Sequence, residues 1–147
     1  MTSRSYWIGV VSRNHVERGV AGGFAQLNHG KAGPLERMQP GDGVTFYSPR
    51  TAPQTGALVQ AFTAIGRVGA GPIYEVPPVE PAHAFRRDAA WLAATPAPIK
   101  PLLPELAFIR NKEHWGAALR FGVVRVSRDD FAAIARAMGR EPDADFG

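Results

Sequence analysis

The chain has 147 residues, of which 45% are hydrophobic and 10% aromatic, so it is long enough to bury one core and is unlike a disordered segment. It contains no cysteine, which excludes disulfides, thiolate zinc sites and a cysteine nucleophile. The formal net charge is +4, and nearly all of the 17 basic residues are arginines. Guanidinium groups pair with phosphates and stack on bases, so this charge either favours polyanionic partners or has no specific role.

The N-terminal residues lack the apolar stretch of a signal peptide, and no apolar run approaches the ~20 residues of a membrane span. We therefore expect a cytoplasmic protein with no membrane partner.

The first predicted elements are a buried strand, a short helix and a long loop. The apolar run over residues 6–12 predicts the strand. Asn14 as N-cap, with Glu17 three positions later, predicts a helix over residues 15–20. Residues 24–33 have no clear period and predict an ordered loop, which at this length is often functional.

The middle of the chain predicts further short strands. One helical turn over residues 34–38 is expected before them, and the connection over residues 49–56 is expected to be rich in turns. Gly66 predicts a bulge or bend. The expected strands cover residues 44–48, 58–68, 74–79 and 84–92.

The last third of the chain begins with residues 95–104, which contain four prolines and are expected to be irregular. A strand is predicted to end at Val126. Ser127 and Asp130 then predict a capping box, and Gly139 fits the position just after a helix.

These elements predict one domain over residues 1–147, with an acidic, frayed tail over residues 140–147. The expected fold class is α+β, with a small, mostly antiparallel pseudo-barrel of five or six strands and short flanking helices. Closure into such a barrel removes exposed strand edges.

Motifs of nucleotide-dependent and metal-dependent enzymes do not occur in the sequence. Gly30-Lys31 resembles part of a P-loop, but Ala25 and Ala32 stand where that motif needs glycine and Ser or Thr. The four histidines have no metal-binding spacing, and there is no Gly-x-Ser-x-Gly elbow. We predict no catalytic residue, no metal site and no cofactor.

Polar and aromatic residues near strand ends and in the long loop are the candidate binding residues. Trp7 offers a flat ring that stacks on a base, or it belongs to the core. Asn28, His29 and Lys31 can contact a base edge or a phosphate, or they fold their own loop.

Two further pairs are candidates. Tyr47 and Ser48 end a strand and either line the mouth of a pocket or pack in a hairpin. Arg86 and Arg87 are adjacent on a strand, so they point to opposite faces, and at least one is exposed to bind phosphate or to form an ion pair.

Several segments, taken together, resemble the EVE domain family. The resemblance keeps its order over almost the whole chain. The matching segments are residues 6–12 (YWIGVVS), 22–24, 28–31 (NHGK), 34–42, 47–49, 99–103, 108–112, 115–116 and 130–134.

This resemblance implies a PUA-like fold, related to YTH and ASCH domains. Domains similar to it bind modified bases, such as methylated adenine in RNA or methylated cytosine in DNA, in an aromatic-lined pocket. The ligand-binding set that we expect is Trp7, Ser12, Asn28, His29, Lys31, Tyr47 and Ser48, with Arg86 and Arg87 for phosphate.

The leading hypothesis is therefore a non-catalytic module, monomeric or weakly dimeric, that recognises a modified nucleobase in DNA or RNA. One alternative is an enzyme acting on nucleotides or nucleic acid, with His29 or His114 as general acid or base. Another is a protein-binding adaptor that docks through residues 95–104.

Overall fold

A computed structural model describes residues 4–27, 31–76 and 84–147. Its central feature is one mixed sheet. The strands are β1 (Tyr6–Val10), β2 (Phe24–Ala25), β3 (Gly43–Ala52), β4 (Thr55–Val68), β5 (Tyr74–Val76), β6 (Ala84–Trp91), β7 (Ala97–Pro98) and β8 (Val123–Val126).

The strand order is β2-β6-β4-β3-β1-β8, with β5 paired to β6 and β7 paired to β4. Strands β1 and β3 are parallel, and the other pairs are antiparallel. The sheet curls into a half-barrel, which confirms the predicted α+β, PUA-like class. The described strands exceed the expected five or six because β2, β5 and β7 have only two or three residues each.

Short helices cover both faces of the sheet. They are α1 (Arg13–Gly22), α2 (Gly33–Glu36), α3 (Arg128–Ala137), α4 (Pro142–Phe146) and two 3-10 helices over Lys100–Glu105 and Trp115–Leu119. No helix among the described residues is long and apolar enough to cross a membrane.

Alternation along β1 separates two hydrophobic cores. Ile8 packs on one face with Phe131 of α3, whereas Trp7 packs on the other with Val16 of α1 and Leu35 of α2. Helices α1 and α2 therefore cover one face of the half-barrel, and α3 covers the other.

Helix α3 begins and ends at the predicted residues, but of the predicted capping box only the Ser127 half forms. The Ser127 hydroxyl accepts a hydrogen bond from the Asp130 N–H at 3.1 Å, and Gly139 has a φ of 82°. The Asp130 carboxylate accepts hydrogen bonds from the N–H groups of Ala107 and Phe108, each at 2.9 Å. Asp130 therefore ties α3 to the preceding loop in addition to helping start the helix.

Several boundaries differ from the prediction. Helix α1 begins at Arg13 with Ser12 as N-cap, not at His15 with Asn14 as N-cap. Residues 49–56 form the end of the β3–β4 hairpin, because the Ala52–Thr55 pairing extends both strands. Pro49 lies at a register shift between β3 and β4. Proline has no N–H to donate, and no ladder hydrogen bond is needed at this position. Residues 77–79 of the expected strand lie outside the described residues.

The expected bulge at Gly66 lies elsewhere. The pairing of β3 with β4 shifts between Phe46 and Tyr47, whose partners are Ala64 and Phe62. Gly66 instead permits a close approach, since a Cβ atom there would lie 2.3 Å from the carbonyl oxygen of Ala90. The glycine is required by strand packing, and no register shift lies at Gly66.

The tail and the proline-rich segment are more ordered than expected. Phe146 of α4 is buried and packs edge-on against Phe131, with 4.9 Å between ring centroids. Arg140 forms a bidentate pair with Asp145 at 2.9 and 3.0 Å. Residues 140–147 are therefore docked, which contradicts the expected fraying, and residues 95–104 contain β7 and a 3-10 helix.

Candidate functional site

A cleft of about 810 Å³ opens beside the carboxyl ends of the parallel strands β1 and β3. Parallel strands end at the same edge of a sheet, so Val10–Ser12 and the second half of β3 meet there. The remaining walls come from the end of β2, the hairpin turn at Pro53 and Gln54, and a turn over residues 120–122. Four segments that are distant in sequence thus enclose one hollow.

The turn over residues 120–122 places an aromatic ring on the wall of the cleft. The Val10 N–H donates to the Gly122 carbonyl at 2.8 Å, and Gly122 has a φ of 76°, which suits glycine. Phe121 is therefore held at the apex, where 78% of its surface is exposed. An exposed ring on the wall of a cleft is suited to stacking on a flat ligand.

Ser12 and His15 provide hydrogen-bonding groups where α1 begins. Both are half-buried and line the cleft, and the Ser12 side chain does not cap the helix. Burial lowers the pKa of His15, and the charges of Arg18 and Arg86 lower it further. His15 is therefore a neutral imidazole at pH 7, able to donate from one nitrogen and accept at the other.

Gln26 lies on the neighbouring wall, just after β2. Its Oε1 atom accepts a hydrogen bond from Arg86 Nε at 2.9 Å. The Arg86 guanidinium in turn stacks on Phe24, with Cζ 3.8 Å from the ring centroid. Arg86 is thereby placed beside the cleft, and its orientation is fixed by the sheet.

Two further arginines line the cleft from different walls. Arg50 comes from β3, and its Nη1 donates to the Gly56 carbonyl at 2.9 Å across the hairpin, whereas Arg120 comes from the turn before β8. Within residues 4–27, 31–76 and 84–147, neither of them pairs with a carboxylate. The cleft therefore has a positive potential at two of its sides.

Three of the expected binding residues are sealed inside the protein. Trp7 is only 6% exposed, and its Nε1 donates to Asp42 Oδ2 at 3.0 Å. Burial raises the pKa of Tyr47 to about 12. The Ser48 hydroxyl is fully buried and pairs with the Thr63 hydroxyl at 2.7 Å. These positions make Trp7, Tyr47 and Ser48 part of the cores, because internal partners already satisfy or enclose their polar groups.

The two candidate phosphate-binding arginines are separated, as expected for neighbours on a strand. Arg87 is buried, and its Nη1 donates to the carbonyls of Leu35 and Met38. It holds the end of α2 and so faces the interior instead of a phosphate. Arg86 is half-buried at the cleft.

Of the remaining expected residues, only Ser12 is found at the cleft among the described residues. Asn28 and His29 lie outside the described residues, but they directly follow Leu27, which also lines the cleft. Lys31 is exposed.

Sequence reasoning missed several residues of the cleft, above all Phe121. The only signal near Phe121 is the glycine that follows it, since glycine is frequent in turns. The other missed residues are His15, Gln26, Arg50 and Arg120. In the described part of the chain, no group of three or more His, Asp and Glu side chains could hold a metal ion.

The half-barrel and its helices define an α+β module of the PUA-like class. The EVE domain profile matches residues 5–137, and the chain belongs to that family, which confirms the resemblance found in the sequence.

Similar proteins cover nearly the full chain. A UPF0310 protein of Mesorhizobium japonicum is 49% identical over 137 residues, covering 92% of each chain. The UPF0310 protein YdcG of Bacillus subtilis is 42% identical over 135 residues, again covering 92% of each. The crystal structure of protein Atu2648 from Agrobacterium tumefaciens superposes with a TM-score of 0.58 at 15% identity, covering 92% of this chain and 94% of that one, and it supports the fold alone.

Proposed function

We propose that this protein is a non-catalytic module that binds a modified nucleobase of DNA or RNA in the cleft. The observation that supports this most is Phe121, an exposed ring on the wall of a hollow that also contains hydrogen-bonding groups and two arginines. Phe121 is 78% exposed and lies on the cleft wall, so its ring is accessible to a flat ligand that enters the cleft.

The size and chemistry of the cleft fit a base. Its volume of about 810 Å³ falls in the range of small-molecule sites. A base stacked on Phe121 would gain about 1–3 kcal/mol from that contact. Ser12 and His15 then provide hydrogen bonds to its edge, and Asn28 and His29, which follow Leu27 in the sequence, are proposed to add others.

The arginines fit a nucleic-acid strand better than a free base. Arg50 and Arg120 stand on separate walls, where phosphates on either side of the bound base would pass. Arg86 and Lys31 are proposed to extend this positive surface. Because phosphate contacts release counterions, affinity should fall as salt rises.

The test is fluorescence anisotropy with labelled single-stranded oligonucleotides that carry one modified or unmodified base. Phe121→Ala is expected to weaken binding about 5- to 150-fold, which corresponds to the stacking energy. Leu58→Ala is the matched control, because Leu58 is another exposed apolar side chain, 62% accessible, that does not line the cleft. If the two variants bind equally, or if no DNA or RNA binds at low salt, the proposal is wrong.

A further inference from the structure

The amide of Gln26 has a fixed orientation in the cleft. Arg86 Nε lies 2.9 Å from the side-chain oxygen of Gln26. A guanidinium nitrogen can only donate, so the atom facing it must be the amide oxygen and not the amide nitrogen. The Gln26 NH₂ group is thereby the part of the amide left for a ligand, and among the described residues it has no partner.

The sheet fixes Arg86 in turn. Its backbone pairs with Tyr74 of β5, and its guanidinium lies on the buried ring of Phe24, which belongs to β2. Because two neighbouring strands hold Arg86, a ligand cannot easily turn the Gln26 amide around. The fold therefore determines that this wall of the cleft presents a hydrogen-bond donor to a ligand.

We infer that Gln26 determines specificity in the cleft and that Arg86 is its positioning residue, so that the site selects bases presenting a carbonyl oxygen to this wall over bases presenting an amino group. The inference rests on the proposed function, since it concerns the same cleft. Guanine, hypoxanthine, uracil and thymine, with their modified forms, present such a carbonyl in place of the amino group of adenine or cytosine. An amino group on the base would face the Gln26 NH₂ group, so two hydrogen-bond donors would be opposed and both left unpaired. Two unpaired donors cost much more binding free energy than one weakened hydrogen bond.

The experiment compares bases of similar shape in which a carbonyl replaces the amino group and the adjacent ring nitrogen gains a hydrogen. Full-length protein is titrated with identical single-stranded oligonucleotides carrying inosine or adenosine, and uridine or cytidine, at the central position. The wild type is expected to prefer the carbonyl member of at least one pair by about tenfold. The measured quantity is the ratio of the two affinities within each pair, because general effects of charge change both affinities equally and cancel.

Two variants then test the mechanism. Gln26→Glu keeps the shape and the Arg86 contact but offers only acceptor oxygens to the ligand, so the preference should reverse towards the amino base. Arg86→Met frees the amide to rotate, so the ratio should fall towards one. Gln39→Glu is the control, because it makes the same change at an exposed side chain that does not line the cleft, and its ratio should match the wild type.

The outcomes separate the inference from the proposed function. Binding by the wild type without a carbonyl preference, or a ratio in Gln26→Glu equal to that of the wild type, overturns the inference and leaves the nucleobase site standing. The absence of any binding overturns both.

Discussion

Asp42 is the residue whose replacement should most clearly separate structural from ligand-binding roles. It is 3% exposed, at the start of β3, and its carboxylate accepts three hydrogen bonds. Oδ1 accepts from Ser5 N at 3.1 Å, and Oδ2 accepts from Trp7 Nε1 at 3.0 Å and from Gln39 N at 2.9 Å. This carboxylate therefore joins the N-terminal segment, β1 and the turn before β3.

Asp42→Asn leaves one oxygen for three donors. In the better orientation the amide oxygen keeps the bonds from Trp7 and Gln39, and the new NH₂ group faces the Ser5 N–H. One hydrogen bond to a charged acceptor is then lost, at about 1.5–3 kcal/mol, and the other two weaken because they become neutral. The lower desolvation cost of the uncharged amide offsets part of this loss. We expect a net loss of about 2–4 kcal/mol in the free energy of unfolding.

The measurement is urea unfolding followed by far-UV circular dichroism, with linear extrapolation to water. The midpoint should fall while the slope with urea stays constant, since the exposed surface on unfolding is unchanged. Asp129→Asn serves as the control, because Asp129 is an exposed carboxylate in the first turn of α3, worth less than about 1 kcal/mol.

Equal losses in the two variants would refute the account of Asp42 as a buried acceptor. Oligonucleotide affinity, measured well below the unfolding midpoint, should be unchanged in Asp42→Asn, because neither Asp42 nor Trp7 lines the cleft. A marked loss of affinity would instead return Trp7 to the binding site.

Three further predictions concern packing and pH. Gly66→Ala should destabilise the protein by about 1–3 kcal/mol, because the new Cβ would lie 2.3 Å from the Ala90 carbonyl; Gly116→Ala, with open space around it, should be near neutral in thermal unfolding. Phe146→Ala should cost about 3 kcal/mol in urea unfolding, and a loss under about 0.5 kcal/mol would show that α4 is not docked in solution. The lowered pKa of His15 means that the unfolded chain takes up its proton first, so stability should decline as pH falls below about 6.5; His15→Gln should show a smaller decline between pH 7 and 5, and identical slopes would contradict the assignment.

Local sequence determined the elements whose ends depend on neighbouring residues. Helix α3 starts at Ser127, whose hydroxyl accepts a hydrogen bond from the N–H three residues later, and it ends beside Gly139, which has a positive φ. A few neighbouring residues therefore determine both ends of the helix. The order of motifs along the chain likewise specified the family and the fold class, and Ser12, which was expected to bind a ligand, lines the cleft.

Which aromatic residues are buried was decided by the tertiary structure. Trp7 lies inside because its indole finds a carboxylate 35 residues away, and Phe121 lies outside because its turn is bonded to β1 through the distant Val10. The five residues of α4 are too few to form a stable helix alone and are ordered by the burial of Phe146. The same ring in the same local sequence can lie inside or outside the protein. Which of the two occurs depends on a contact with a remote part of the chain, and that contact is in place only after the strands have paired.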